Sequence, residues 1–149
     1  MGNITMNLAR MTRLPLLVLP TEGQPSPDHA PVFLATDGSA NAGRAQERFR
    51  QLVSDNQEGR IIWVRPEDAP DEAEQVDRLV YDLAESMPSV NVRILDGQPA
   101  KELLNMISDI KPALVLIGKR GTTPVEMLPL GHTSESVVRE SLSPVLLIP

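Results

Sequence analysis

The sequence predicts an α/β protein, a doubly wound parallel sheet of five strands with helices on both faces. Three observations predict it. From Val32 onward, short runs rich in Val, Ile and Leu alternate with segments of helical periodicity, which is the pattern of a parallel sheet threaded by crossover helices. One run, Ala113-Leu114-Val115-Leu116-Ile117, is wholly apolar, as a strand covered on both faces must be. Of 149 residues 41% are hydrophobic, with one Trp, one Tyr and two Phe, so one core of Leu, Ile, Val and Ala fits and a single full domain accounts for the length.

Taken in order, the chain opens with a helix-strand segment over residues 1–20 that ends in Leu16-Leu17-Val18-Leu19-Pro20. Thr21 to Pro31, rich in Pro, Gly and polar residues, reads as a linker. The domain proper spans 32–149. Its strands are Val32 to Thr36, Arg60 to Val64, Val90 to Leu95, Ala113 to Ile117 and Val145 to Ile148. The first helix carries Ala42, Ala45, Phe49 and Leu52 on one face, and the second carries Val76, Leu79, Val80 and Leu83. A third runs from about Ala100 to Ile110 with Leu103, Leu104, Ile107 and Ile110 inward, and Pro112 stops it. The fourth begins near Thr133 and carries Val137 and Val138. Right-handed crossovers and a strand order of 3-2-1-4-5, counted from Val32, bring the ends of the first and fourth strands to one crevice.

The first twenty residues also repeat the last. Gly2 to Pro20 lies over Gly131 to Pro149 without a gap, with Gly2, Arg10, Pro15, Leu17 and Pro20 matching Gly131, Arg139, Pro144, Leu146 and Pro149. The expectation is a helix and strand resembling the end of a preceding copy of the same domain. Exposed, Leu16 to Leu19 would invite aggregation, so this run is expected to add as a strand beside Val145 to Ile148, within the chain or across a dimer.

Several function classes fall away. A net charge of −6 with scattered basic residues forgoes the counterion release that drives nucleic-acid binding. Cysteine is absent, which removes disulfides and thiol chemistry. The apolar run Leu14 to Pro20 is too short to span a membrane and no cleavage pattern follows it, so a cytoplasmic location is expected. No Walker-type Gly-Lys-Ser, HExxH or GxSxG motif occurs, and Asp37 and Glu135 are the only candidate acid-base groups near the loops that matter. Catalysis is not expected beyond slow hydrolysis.

The segment with the most chemistry is Gly118-Lys119-Arg120-Gly121, followed by Gly131-His132-Thr133-Ser134. A strand empties into a glycine-bounded loop ahead of a helix, the arrangement that aims free backbone N–H groups at an anion. Backbone N–H groups of Gly121 and of 132–134, with the hydroxyls of Thr133 and Ser134, are the expected phosphate contacts, and Lys119 and Arg120 the expected positive charge. A Gly-bounded surface loop before a capped helix is the alternative. After the first strand, Asp37-Gly38-Ser39 reads either as an acceptor for ribose hydroxyls or as a turn with a helix N-cap.

The spacing Gly118, Gly121, Gly131, together with Asp37-Gly38-Ser39, the passage from Val90 through Gly97 and Pro99 into a helix, and the closing Ser143-Pro144-Val145-Leu146-Leu147-Ile148-Pro149, resembles the universal stress protein family. The resemblance implies a Rossmann-like fold, a stress-linked regulator more than a catalyst, and ATP with magnesium or another adenine nucleotide as ligand. It implies nucleoside contacts from Ala35, Thr36 and Asp37, adenine contact from Val64, and phosphate contacts from Gly118, Gly121, Gly131, His132, Thr133 and Ser134. It also implies pairing through the last strand, as a homodimer or with the N-terminal segment. One departure stands out. The nucleotide-binding branch has Ser or Thr where this chain has His132, whose imidazole either donates to a phosphate or crowds it, marking a branch that acts through dimerisation or protein partners.

Overall fold

A computed structural model describes residues 2–39, 42–53, 57–68, 70–120 and 130–149. The chain starts with α1 (Asn3–Met11) and β1 (Leu16–Val18). There follow β2 (Val32–Ala35), α2 (Ala42–Leu52), β3 (Gly59–Arg65), α3 (Pro70–Glu85), β4 (Val90–Asp96), α4 (Pro99–Ile110), β5 (Leu114–Gly118), α5 (His132–Glu140) and β6 (Val145–Ile148). α3 starts six residues ahead of Val76, the first apolar position that periodicity marks, because Pro70 suits the first helical turn, where its missing N–H costs nothing.

One sheet runs β1-β6-β5-β2-β3-β4. Its five domain strands are parallel, and they lie in the order β4-β3-β2-β5-β6. The N-terminal segment supplies a sixth strand, β1, which joins antiparallel outside β6, beside Val145 to Ile148 as expected. That antiparallel addition occurs within the chain and occupies the edge of β6 through which a homodimer by the last strand would form.

Alternation along the strands builds two cores. Phe33, Ala35, Ile62, Val64, Val115, Ile117 and Leu147 face α1, α4 and α5. Leu34, Ile61, Trp63, Leu116 and Ile148 face α2 and α3. Successive strand residues point to opposite sides, so a strand such as Val32–Ala35 is buried at every position. Strand order reverses between β2 and β5, and that gap opens the site. Among the described residues no helix is long and apolar enough to cross a membrane.

Candidate functional site

A cleft of about 1520 Å³ opens along the carboxyl ends of β5, β2, β3 and β4. It is larger than the roughly 300–1,000 Å³ of ordinary small-ligand pockets. Ala35, Thr36 and Asp37 line it from the end of β2, Val64 from β3, Gly118 from β5, and Gly131, His132, Thr133 and Ser134 from the start of α5. These are the residues singled out from the sequence, gathered on one wall system from segments up to a hundred residues apart. Gly121 lies outside the described residues.

Each end of the glycine segment is tied down. The Lys119 amide donates to the Ile148 carbonyl, and the Gly131 amide donates to the Lys119 carbonyl at 2.9 Å. The Ser134 hydroxyl donates to the Gly118 carbonyl at 2.6 Å in a buried contact. Its proton therefore holds α5 to the end of β5, and what Ser134 offers the cleft is its backbone N–H. Gly131 precedes α5 in extended backbone and no side chain caps the helix. The first-turn N–H groups, which no helix can satisfy internally, start at the cleft wall.

Lys119 departs from expectation. Its ammonium turns away from the cleft and donates to the carbonyls of Arg10 and Thr12, both at 2.7 Å. Burial, and after it the charge of Arg120, holds the ammonium below the ordinary lysine value. Arg120 lines the cleft, as do Lys101 and His132.

At β2 the turn reading is realised. Asp37 Oδ1 accepts the Ser39 amide at 2.9 Å, Thr36 Oγ1 accepts the Gly38 amide at 3.2 Å, and Ser39 Oγ accepts the Ala42 amide at 3.2 Å at the start of α2. Gly38 sits at φ +73, and a Cβ there would lie 2.9 Å from both methyls of Val76, so only glycine fits this turn.

Reading the sequence missed the far wall. Trp63, the chain's one tryptophan, lines the cleft while its Nε1 donates to Asp77 Oδ1 at 2.9 Å. Asp96 and Gly97, ending β4, also line it. The signal was available, since an Asp-Gly pair stands at the carboxyl end of β4, as Asp37-Gly38 stands shortly after β2.

Charge is unevenly spread. Asp37, Glu67, Asp68, Glu72, Asp96 and Glu102 line the β2, β3 and β4 side, while the β5 and α5 side presents Arg120, His132 and backbone N–H groups. An anion is favoured at the α5 end, and hydroxyl or amino groups at the other. Among the described residues no group of three His, Cys, Asp or Glu can hold a metal ion.

Residues 51–149 match the profile of the universal stress protein family. A universal stress protein of Mycobacterium tuberculosis is 29% identical over 168 residues, covering 98% of this chain and 52% of that protein. One from Thermus aquaticus is 30% identical over 132 residues, covering 78% of this chain and 96% of that protein. The crystal structure of a universal stress protein from Archaeoglobus fulgidus superposes with a TM-score of 0.72 at 30% identity, over 97% of this chain and 53% of that one. The chain thus spans about half the length of the mycobacterial relative. Two more distant structures share the fold. One is a universal stress protein in complex with cAMP, with a TM-score of 0.63 at 22% identity, over 80% of this chain and 96% of that one. The other is that of Archaeoglobus fulgidus in complex with dAMP, with a TM-score of 0.57 at 16% identity, over 80% and 98%.

Proposed function

The chain belongs to the universal stress protein family, and we propose that it is a cytoplasmic regulatory module whose cleft binds an adenine nucleotide, ATP with magnesium in the first instance. The observation that carries this reading is the uncapped start of α5, which opens on the same cleft as the ends of β2 and β5. Phosphates lie at Gly118, Gly121 and Gly131–Ser134, beside Arg120, where the described lining carries no carboxylate. The nucleoside lies toward Ala35, Thr36, Asp37 and Val64, where carboxylates repel phosphate and accept hydroxyls. Fold relatives in complex with cAMP and dAMP support the ligand class. Magnesium in this reading travels with the phosphates, as it does at many nucleotide sites.

Catalysis beyond slow hydrolysis is not part of this reading. Occupancy instead changes the module's shape or its partner contacts. Titrating magnesium and ATP, then AMP, cAMP and adenosine, tests the reading by calorimetry and by the fluorescence of Trp63. Saturable heat with a matching change at Trp63 is the expected result. Silence from every ligand in both channels would leave a family domain that works through protein contacts, a reading that His132 at the start of α5 favours.

A further inference from the structure

Lys119 is the one charged side chain among the buried described residues, 6% exposed. Its ammonium rests on the neutral carbonyls of Arg10 and Thr12 at the C-terminus of α1, and among the described residues no carboxylate pairs with it. A cation buried this way bears the cost of leaving water without the return of an opposite charge. The partial charge of a helix end offsets only part of that cost. A phosphate oxygen is the stronger partner, and the turn where phosphates are placed lies next door. Gly118 and Arg120, on either side of Lys119 in the chain, line the cleft, and the Lys119 carbonyl accepts the amide of Gly131 at 2.9 Å. The flexible four-carbon stem of a lysine is long enough to turn toward it with the backbone of β5 in place.

What keeps the ammonium away is α1, and α1 is lightly held. Its buried residues are Met6 and Ala9, while Ile4 is 84% and Met11 79% exposed. Gly2 supplies no side-chain cap, and no acidic residue stands in the first turn. The ion pair of Arg10 with Glu135 that ties the helix to α5 is partly exposed. A helix of nine residues does not persist unsupported, so loss of this seat melts it.

We propose that α1 is an autoinhibitory strap: seated, it withholds Lys119 from the cleft, and released, it lets that ammonium bind the phosphates of a nucleotide. This device rests on the nucleotide reading, for which it supplies the change of shape. In the native chain the seated state dominates, so Lys119 adds nothing to the measured affinity until α1 leaves. The coupling is reciprocal, since the factor by which release of α1 tightens the nucleotide is the factor by which the nucleotide favours release. One charge-assisted contact sets that factor at about tenfold.

Amide hydrogen exchange in α1 and calorimetry read the two sides of this coupling. In the native chain, saturating magnesium-ATP is expected to speed exchange of α1 about tenfold and adenosine to leave it unchanged. Lys119→Met is expected to abolish the effect of ATP. Ala9→Gln puts a long amide where a fully buried alanine sits, which unseats α1 and keeps Lys119. With β2 and β5 still protected, this variant is expected to bind ATP about tenfold more tightly than the native chain, and Lys119→Met to cancel the gain. ATP that binds by calorimetry yet slows α1 exchange, or leaves it unchanged, would overturn the strap while the nucleotide reading stands. So would an acceleration that survives Lys119→Met. No heat from ATP with either the native chain or Ala9→Gln overturns both readings. Should Ala9→Gln unfold the sheet, exchange in the native chain decides alone.

Discussion

The ammonium of Lys119 donates to the carbonyl of Arg10 at 2.7 Å, and so joins the residue after β5 to the C-terminus of α1. A helix leaves its last carbonyls without partners and its dipole negative there, so a buried cation serves both needs. Its neighbour Arg120 faces the cleft instead. The two cations therefore have separable roles. Lys119→Met, which keeps the stem and removes the charge, is expected to cost about 1–3 kcal/mol in urea denaturation, loosen residues 3–19, and leave ATP affinity alone. Arg120→Gln is expected to weaken ATP and leave stability alone. Should Lys119→Met weaken ATP without loss of stability, its ammonium serves the cleft and the assignment is wrong.

Glu135, in the first turn of α5, accepts Arg10 at 2.7 Å and Arg139 at 2.8 Å on the same oxygen. Burial works to raise its carboxyl, but the hydrogen bonds and charges of the two arginines outweigh that and hold it below its ordinary 4.5. A depressed carboxyl binds fewer protons folded than unfolded, so its contribution is complete above the ordinary value and is lost as pH falls through the folded one. The melting temperatures of the native chain and of Glu135→Gln should differ at neutral pH and converge as the pH drops below 4.5. Both arginines are partly exposed, so added salt should narrow the gap. A gap independent of pH would show that the pair contributes packing and no charge.

Gly38 joins the β2 end of the cleft to α3. A Cβ there meets two methyls of Val76 at 2.9 Å, and the backbone sits at φ +73, so Gly38→Ala carries both a clash and a dihedral cost. The dihedral alone is of order 1–3 kcal/mol. Adding Val76→Ala relieves the clash and leaves the dihedral, at the expense of a small cavity. Chemical denaturation should therefore rank the double variant no more than partly restored, and full restoration would mean that φ at this position is not constraining.

How far the sequence reaches depends on how local the cause is. Val32 to Ala35, or Leu114 to Ile117, declare buried strands by their own composition, and the glycine spacing marks its loop without help from elsewhere. The same holds for the turn at Asp37-Gly38-Ser39, whose hydrogen bonds run between near neighbours. The direction of Lys119 was not legible, because its acceptors are carbonyls of Arg10 and Thr12, over a hundred residues away in the chain. Nor was the commitment of the Ser134 hydroxyl to Gly118, which depends on how α5 seats on β5. The acidic wall from Glu67 to Glu102 exists only once α3 and α4 flank the strand ends. Side-chain chemistry at this site is set by tertiary placement, while its backbone frame is written locally.

His132 is the first residue of α5, follows the uncapped Gly131, and lines the cleft. In the nucleotide reading, the N–H groups of that turn receive phosphate, so the side chain at this position borders the phosphate itself. Serine there would take less room and present a hydroxyl donor, whereas imidazole fills space next to the bound oxygens. His132→Ser is therefore expected to tighten ATP by about five- to tenfold, the equivalent of one added hydrogen bond near 1 kcal/mol, and to leave adenosine unchanged because it lacks phosphates. Calorimetry on both ligands separates the causes. A gain for ATP alone places the effect at the phosphates, and a gain for both means that the ring narrows the whole cleft. A loss for ATP alone would mean that the imidazole is itself a phosphate donor, and that this chain holds its ligand by a contact of its own.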